Sequence, residues 1–154
     1  MLELQTPRLL LRTWQAADLR GFAELSADPQ VMRHFPSVLS RVQSDAMARR
    51  MQAHFVTHGF GYWVLERRDQ PGLLGVLGLQ RVAFAAAFTP AVEIGWRLQR
   101  QHWRQGYALE AATAVLAFAF AQLQLEQVLA FTVPANLPSQ ALMQRLGMQR
   151  DPAE

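Results

Sequence analysis

The chain has 154 residues, 51% hydrophobic and 18% charged, a balance that suits one globular domain over 1–154 and excludes a disordered chain. It has no cysteine, which excludes a disulfide framework, a thiolate metal site and a cysteine nucleophile. The formal net charge is +3, every basic residue is arginine, and no basic stripe interleaved with aromatics appears between Arg8 and Arg150, so nucleic acid is not the expected partner.

Glu3, Pro7 and Arg8 break up the N-terminal apolar run, so it does not read as a signal peptide. A membrane helix needs about 18 uninterrupted apolar residues, and Glu110 and Gln122 bracket the longest candidate. These features predict a soluble, cytoplasmic protein with no membrane partner.

In chain order, 9–14 reads as a strand, 16–27 as a helix stopped by Asp28-Pro29, and 29–40 as a loop with exposed-looking Met32, His34 and Phe35. A second helix is expected over 41–57, ahead of Gly59. Two strands, 62–67 and 73–80, flank Asp69-Gln70-Pro71-Gly72, a hairpin signal. After a small-residue connector come a strand at 91–98, a long helix at 106–123, a strand at 127–133 and a helix ending at Gly147. The order β-α-α-β-β-β-α-β-α reads as an α+β fold, with 91–98 and 127–133 as parallel neighbours across the long helix. That helix is apolar almost all round, which predicts burial on most sides.

The stretch before it, QRQHWRQGYALEA, is the most informative. A helix start must satisfy its free amides, and HWRQG supplies no Ser, Thr, Asp or Asn to cap them. Free amides and the positive end of the helix dipole suit an anion such as a pyrophosphate, with Gly106 permitting close approach and Arg104 adding a cation. Neither the G-x-K-[ST] motif of a P-loop nor the G-x-G-x-x-G motif of a dinucleotide site is present. A loop capped by water is the plainer alternative. His54 and His58, four apart on the second helix, lack an acidic third ligand and read as ordinary helix-end residues, so no metal is expected.

Residues 93–111, EIGWRLQRQHWRQGYALEA, resemble the acetyl-CoA-binding segment of the GNAT N-acetyltransferases, and most of all the Rim-type branch that acetylates ribosomal-protein N-termini. The matching positions are Glu93, Ile94, Gly95, Leu98, Trp103, Gly106, Tyr107, Ala108, Glu110 and Ala111. The opening TPRLLLR and the run from Asn136 to Met148 resemble the same branch, in the same order along the chain.

The resemblance implies a mixed central sheet flanked by helices and acetyl-CoA as co-substrate. It implies that amides of Arg104, Gln105, Gly106, Tyr107 and Ala108 hold the pyrophosphate, that the backbone of Trp96, Arg97 and Leu98 pairs with the pantetheine arm, and that Asn136 hydrogen-bonds it. Two departures stand out: Arg104 where the branch often has glycine, and Met143 where many members place a proton-donating tyrosine.

Acetyl transfer needs a neutral amine, so a nearby carboxylate serves as base. Glu93 is the candidate, with an ion-paired strand glutamate as the alternative. Ser139 is the candidate acid, with helix capping as its alternative. Arg33 and His34 are expected at the acceptor site. The acceptor is a primary amine, on a small molecule or a protein N-terminus; a CoA-binding module with weak catalysis is the competing function. The family continues through two more strands beyond the position of Glu154, and an early end would favour homodimerisation through an open sheet edge.

Overall fold

The computed structural model describes residues 2–150; the expected chain end at Glu154 lies outside them. The elements are β1 (Leu4–Gln5), β2 (Leu9–Arg12), α1 (Asp18–Ala27), α2 (Arg41–His58), β3 (Tyr62–Arg67), β4 (Gln70–Arg81), β5 (Val92–Leu98), α3 (Tyr107–Ala121) and α4 (Leu137–Arg145), with a short 3-10 turn at Arg100–His102. The five strands form one antiparallel sheet in chain order. No helix among the described residues is long and apolar enough to cross a membrane.

Alternation along the strands sends side chains to two faces. One face, with Leu9, Leu11, Trp63, Leu65, Leu77, Ile94 and Leu98, packs against Ala111, Ala112, Val115 and Phe118 of α3. Trp63 is fully buried there, edge-on to Phe55 at 5.2 Å and Phe118 at 5.5 Å. The other face receives α1 and α2 through Phe22, Leu25, Ala48 and Val76. Ser40 and Gln43 form a reciprocal capping box that starts α2, and Gly59 at φ 77° ends it.

The α+β class and most elements match the sequence reading, with four local differences. The first is β1, an unexpected two-residue strand paired with β2. The second is the hairpin, which turns at Arg68-Asp69; Arg67 pairs with Gln70, and Pro71-Gly72 fall in a bulge where Gly72 has φ 111°.

The third difference is at 127–133, which forms no strand. A single parallel bridge joins Glu93 to Leu129. Ile94 N–H donates to Leu129 O at 2.8 Å and Leu129 N–H donates to Val92 O at 3.0 Å, after which the two segments part. The fourth is exposure. α3 buries one stripe and leaves Thr113, Ala117 and Phe120 in solvent, an exposure alanine tolerates well, while Met32 is buried.

Candidate active site

The parting of β5 from the segment after Leu129 opens a cleft of about 1140 Å³ between the α1–α2 side of the sheet, the start of α3 and α4. Its floor is set by register. Gln80 pairs with Glu93, Gly78 with Gly95, and Val76 with Arg97, so Glu93, Gly95 and Arg97 share the face turned to α1 and α2.

Tyr62 pairs with Gly78 on the other side of β4. Two glycines in that row let the Tyr62 ring lie across the sheet. A Cβ on Gly95 would collide with the Tyr62 hydroxyl oxygen. Burial first, and the Glu93 carboxylate second, push this hydroxyl well above the usual tyrosine range, with Arg97 pulling the other way. Tyr62 therefore keeps its proton at neutral pH.

Glu93 is half-buried and accepts a hydrogen bond from Gln80 Nε2. Among the described residues no cation lies within ion-pair distance of it, so the alternative of an ion-paired strand glutamate has no partner.

The edge of β5 follows from its hydrogen bonds. Gln99 N–H donates to Leu74 O at 3.0 Å, toward β4, whereas Ile94 N–H points to Leu129. Antiparallel alternation then turns the peptide groups of Trp96 and Leu98 to the open edge and that of Arg97 to β4. The Leu98 carbonyl accepts from Trp103 Nε1 at 2.9 Å, which leaves the Leu98 amide on the edge. Of the three residues expected to hold the pantetheine arm by backbone, Arg97 thus has its peptide turned away.

At the helix start, Gly106 caps α3 with φ 82° and no side-chain cap. Arg104 has φ 60°, a left-handed conformation that explains why a glycine suits this position. Glu110 N–H is the first helical amide to find a carbonyl, Gly106 O at 3.0 Å; among the described residues the amides of Arg104 to Leu109 have no protein acceptor. Several unclaimed donors at a positive helix end fit a pyrophosphate. Arg104, Gly106, Tyr107 and Ala108 line the cleft; Gln105 does not, and its carbonyl accepts from Arg8 Nη1 at 2.8 Å.

Sequence reasoning missed what holds this turn. Arg8 Nε meets Glu110 Oε1 at 2.7 Å, the Arg8 amide donates to Oε2 at 2.9 Å, and the guanidinium stacks on the Tyr107 ring at 4.4 Å. Thr6 also donates to Glu110. Burial acts to raise the Glu110 carboxyl, but these bonds hold it below the usual range. The TPR and GYALE motifs, far apart in the sequence, are two halves of one clasp.

On α4, Asn136 is the cap: its Oδ1 accepts from the Ser139 amide at 3.2 Å, leaving the Asn136 NH2 group for another partner. The Ser139 hydroxyl therefore does not cap, and Ser139 lines the cleft. Met143 is not among the lining residues. Arg33 and His34 line the cleft beside Phe35, which stacks on Arg97 at 4.5 Å.

His54 is a clamp. Nδ1 donates to Phe60 O at 2.7 Å and Nε2 accepts from Arg81 N–H at 3.0 Å, which occupies both ring nitrogens. Among the described residues, no three His, Asp or Glu side chains gather as metal ligands.

A family model described as "Acetyltransferase (GNAT) domain" matches residues 8–149. The chain is 30% identical over 155 residues to the uncharacterized N-acetyltransferase YnaD of Bacillus subtilis (strain 168), covering 97% of this chain and 84% of that one. An acetyltransferase from Agrobacterium tumefaciens str. C58 superposes with a TM-score of 0.88 at 26% identity, over 100% of this chain and 87% of its own. Mycobacterium smegmatis RimJ, solved in complex with CoA-disulfide, shares the fold with a TM-score of 0.74 at 20% identity, over 97% and 75% of the two chains.

Proposed function

The chain belongs to the GNAT family of acetyltransferases, and on that premise we propose that it moves the acetyl group of acetyl-CoA to a primary amine by direct attack in a ternary complex. The observation that carries this reading is the open edge of β5 beyond Ile94, which runs into the unclaimed amides at the start of α3 along one cleft.

Acetyl-CoA supplies a reactive thioester. Amides of Arg104 to Ala108 hold its pyrophosphate, Trp96 and Leu98 pair with the pantetheine arm as an added strand would, and the Asn136 NH2 group bonds the arm from the opposite side. Gln105 serves through its amide alone, since its carbonyl is taken by Arg8. Glu93, oriented by Gln80, takes a proton from the amine. The nitrogen lone pair then forms the N–C bond as the C–S bond breaks. The Ser139 hydroxyl protonates the departing sulfur, and the surplus proton on the new amide nitrogen passes to the Ser139 oxygen in exchange. Arg33 and His34 flank the acceptor's entry, and the whole reaction takes place in the cytoplasm.

Met143 favours a second reading, a CoA-binding module with weak catalysis. Two hydroxyls in the same cleft, those of Tyr62 and Ser139, weaken it.

Two variants test the assignment. Glu93→Gln lowers kcat by about a hundredfold, the usual worth of a general base, while calorimetry still detects acetyl-CoA binding. Ser139→Ala lowers kcat without lowering the melting temperature, because Asn136 supplies the cap. Wild-type turnover in both variants would remove these residues from the chemistry.

A further inference from the structure

Thr6, Arg8 and Glu110 are not among the residues that line the cleft, yet all three converge behind the turn that opens α3. In the Arg8 guanidinium, Nε donates to Glu110 Oε1 at 2.7 Å and Nη1 donates to the Gln105 carbonyl at 2.8 Å. A Cβ on Gly106 would come 3.2 Å from Arg8 Nη2. The Arg8 main chain is fixed as well: its amide donates to Glu110 Oε2 at 2.9 Å, and its carbonyl accepts from the Arg68 amide at 2.9 Å. Thr6 holds the same carboxylate and accepts from the Leu9 amide at 3.0 Å, which anchors the clasp to the sheet. An isolated ion pair on a surface contributes little to stability, and so does not explain this many directed bonds around a side chain that stays 46% exposed.

The peptide between Gln105 and Gly106 does explain them. In a trans peptide the carbonyl and the following N–H point in opposite directions. With the Gln105 carbonyl held on Arg8, the Gly106 N–H turns away from Arg8, to the side on which Arg104, Gly106, Tyr107 and Ala108 line the cleft and Gln105 does not. The turn needs that restraint. Arg104 at φ 60° and Gly106 at φ 82° are both left-handed, and a residue other than glycine adopts that conformation only when its surroundings impose it. Successive N–H groups in such a turn form a concavity for an anion, and one rotated peptide removes its donor from the set.

We propose that Arg8 is a positioning residue for the pyrophosphate: through the Gln105 carbonyl it aims the Gly106 amide into the cleft, and Glu110 and Thr6 hold Arg8 in place. This rests on the acetyl-CoA reading above. It assigns affinity for the phosphates, as distinct from the pantetheine arm, to three residues outside the cleft lining.

The test is calorimetry on the full chain with two probes, acetyl-CoA and S-acetyl-pantetheine. The second has the arm and no phosphate, and is read by competition against the first. Arg8→Met should weaken acetyl-CoA binding by about tenfold to a hundredfold, the range for hydrogen bonds to a charged group, and leave S-acetyl-pantetheine unchanged. Arg8→Lys should recover part of the loss, because an ammonium reaches the carbonyl or Glu110 but lacks the fork for both. Glu110→Ala separates aim from charge, since it removes the anchor of Arg8 and leaves the cation unpaired. A cation acting on the phosphate directly would then bind acetyl-CoA more tightly, most of all at low salt, whereas a misaimed amide weakens binding at any salt. A folding defect lowers the number of sites per chain and leaves the dissociation constant of the folded fraction where it was. Should Arg8→Met not fold, Glu110→Ala decides alone, because its two outcomes have opposite signs. Unchanged acetyl-CoA affinity in Arg8→Met, equal losses for both probes, or tighter binding in Glu110→Ala overturns the proposal and leaves the acetyltransferase reading standing. Failure of the unsubstituted protein to bind acetyl-CoA overturns both.

Discussion

Arg12 shows how much a single side chain holds in this protein. Its guanidinium binds Asp18 through two bonds of 2.8 Å each and Glu66 through Nε, and both Arg12 and Asp18 are almost fully buried. The Asp18 bonds first, against the opposing effect of burial and with Glu66 adding to them, hold Arg12 well above the usual arginine range. Asp18 also accepts from the Gln15 amide at 2.7 Å, so the trio fixes the entry to α1 against β2 and β3. Removing Arg12 strands two carboxylates, one of them buried. Arg12→Met should lower unfolding stability by about 3–5 kcal/mol, read as a lower urea midpoint at unchanged slope. A loss under about 1 kcal/mol would mean that water enters and screens the pair. The cleft draws on other residues, so acetyl-CoA affinity of the folded fraction should persist. Arg12 and Asp18 carry no local signature in the sequence, because the burial that makes them matter is tertiary.

At the scale of elements, α2 is pinned to the sheet by His54, whose neutral ring donates to Phe60 O and accepts from the Arg81 amide. Burial first, with His58 and Arg81 adding to it, holds the His54 pKa below its ordinary value. The unfolded chain then binds more protons than the folded one below about pH 6.5, the ordinary histidine value. The stability His54 contributes is therefore fully present above that pH and is lost as pH falls toward the folded-state value. His102, also lowered by burial, acts in the same direction. Melting temperatures measured from pH 8 to pH 5 should fall, and His54→Gln should flatten part of that slope; an identical slope in the variant would exclude this histidine.

What could be read in advance at this scale was local. The hairpin of β3 and β4, the glycine before α3 and Gly147 after α4 carry their signals within a few residues, whereas the cap of α4 is Asn136 and not Ser139. The Tyr62, Gly78 and Gly95 row depends on register across three strands, and the Arg8–Glu110 clasp joins positions 102 apart. Residues 127–133 have the apolar pattern of a strand, yet beyond Leu129 they diverge from β5, and that divergence makes the cleft.

For the whole molecule, the two faces of one sheet divide the work. The α3 face is an apolar core around Trp63, and the α1–α2 face is the floor of the cleft that ends at the α3 amides. Transfer of an acetyl group to an amine is tested most directly by mixing the protein, acetyl-CoA and a panel of primary amines and peptide N-termini. Free thiol and acetylated amine are then followed together. Both should appear in equal amounts, rising with enzyme concentration and lost in Glu93→Gln. Tight binding of acetyl-CoA, with no thiol released beyond the uncatalysed rate for any amine, would contradict it and leave a CoA-binding protein in place of an enzyme.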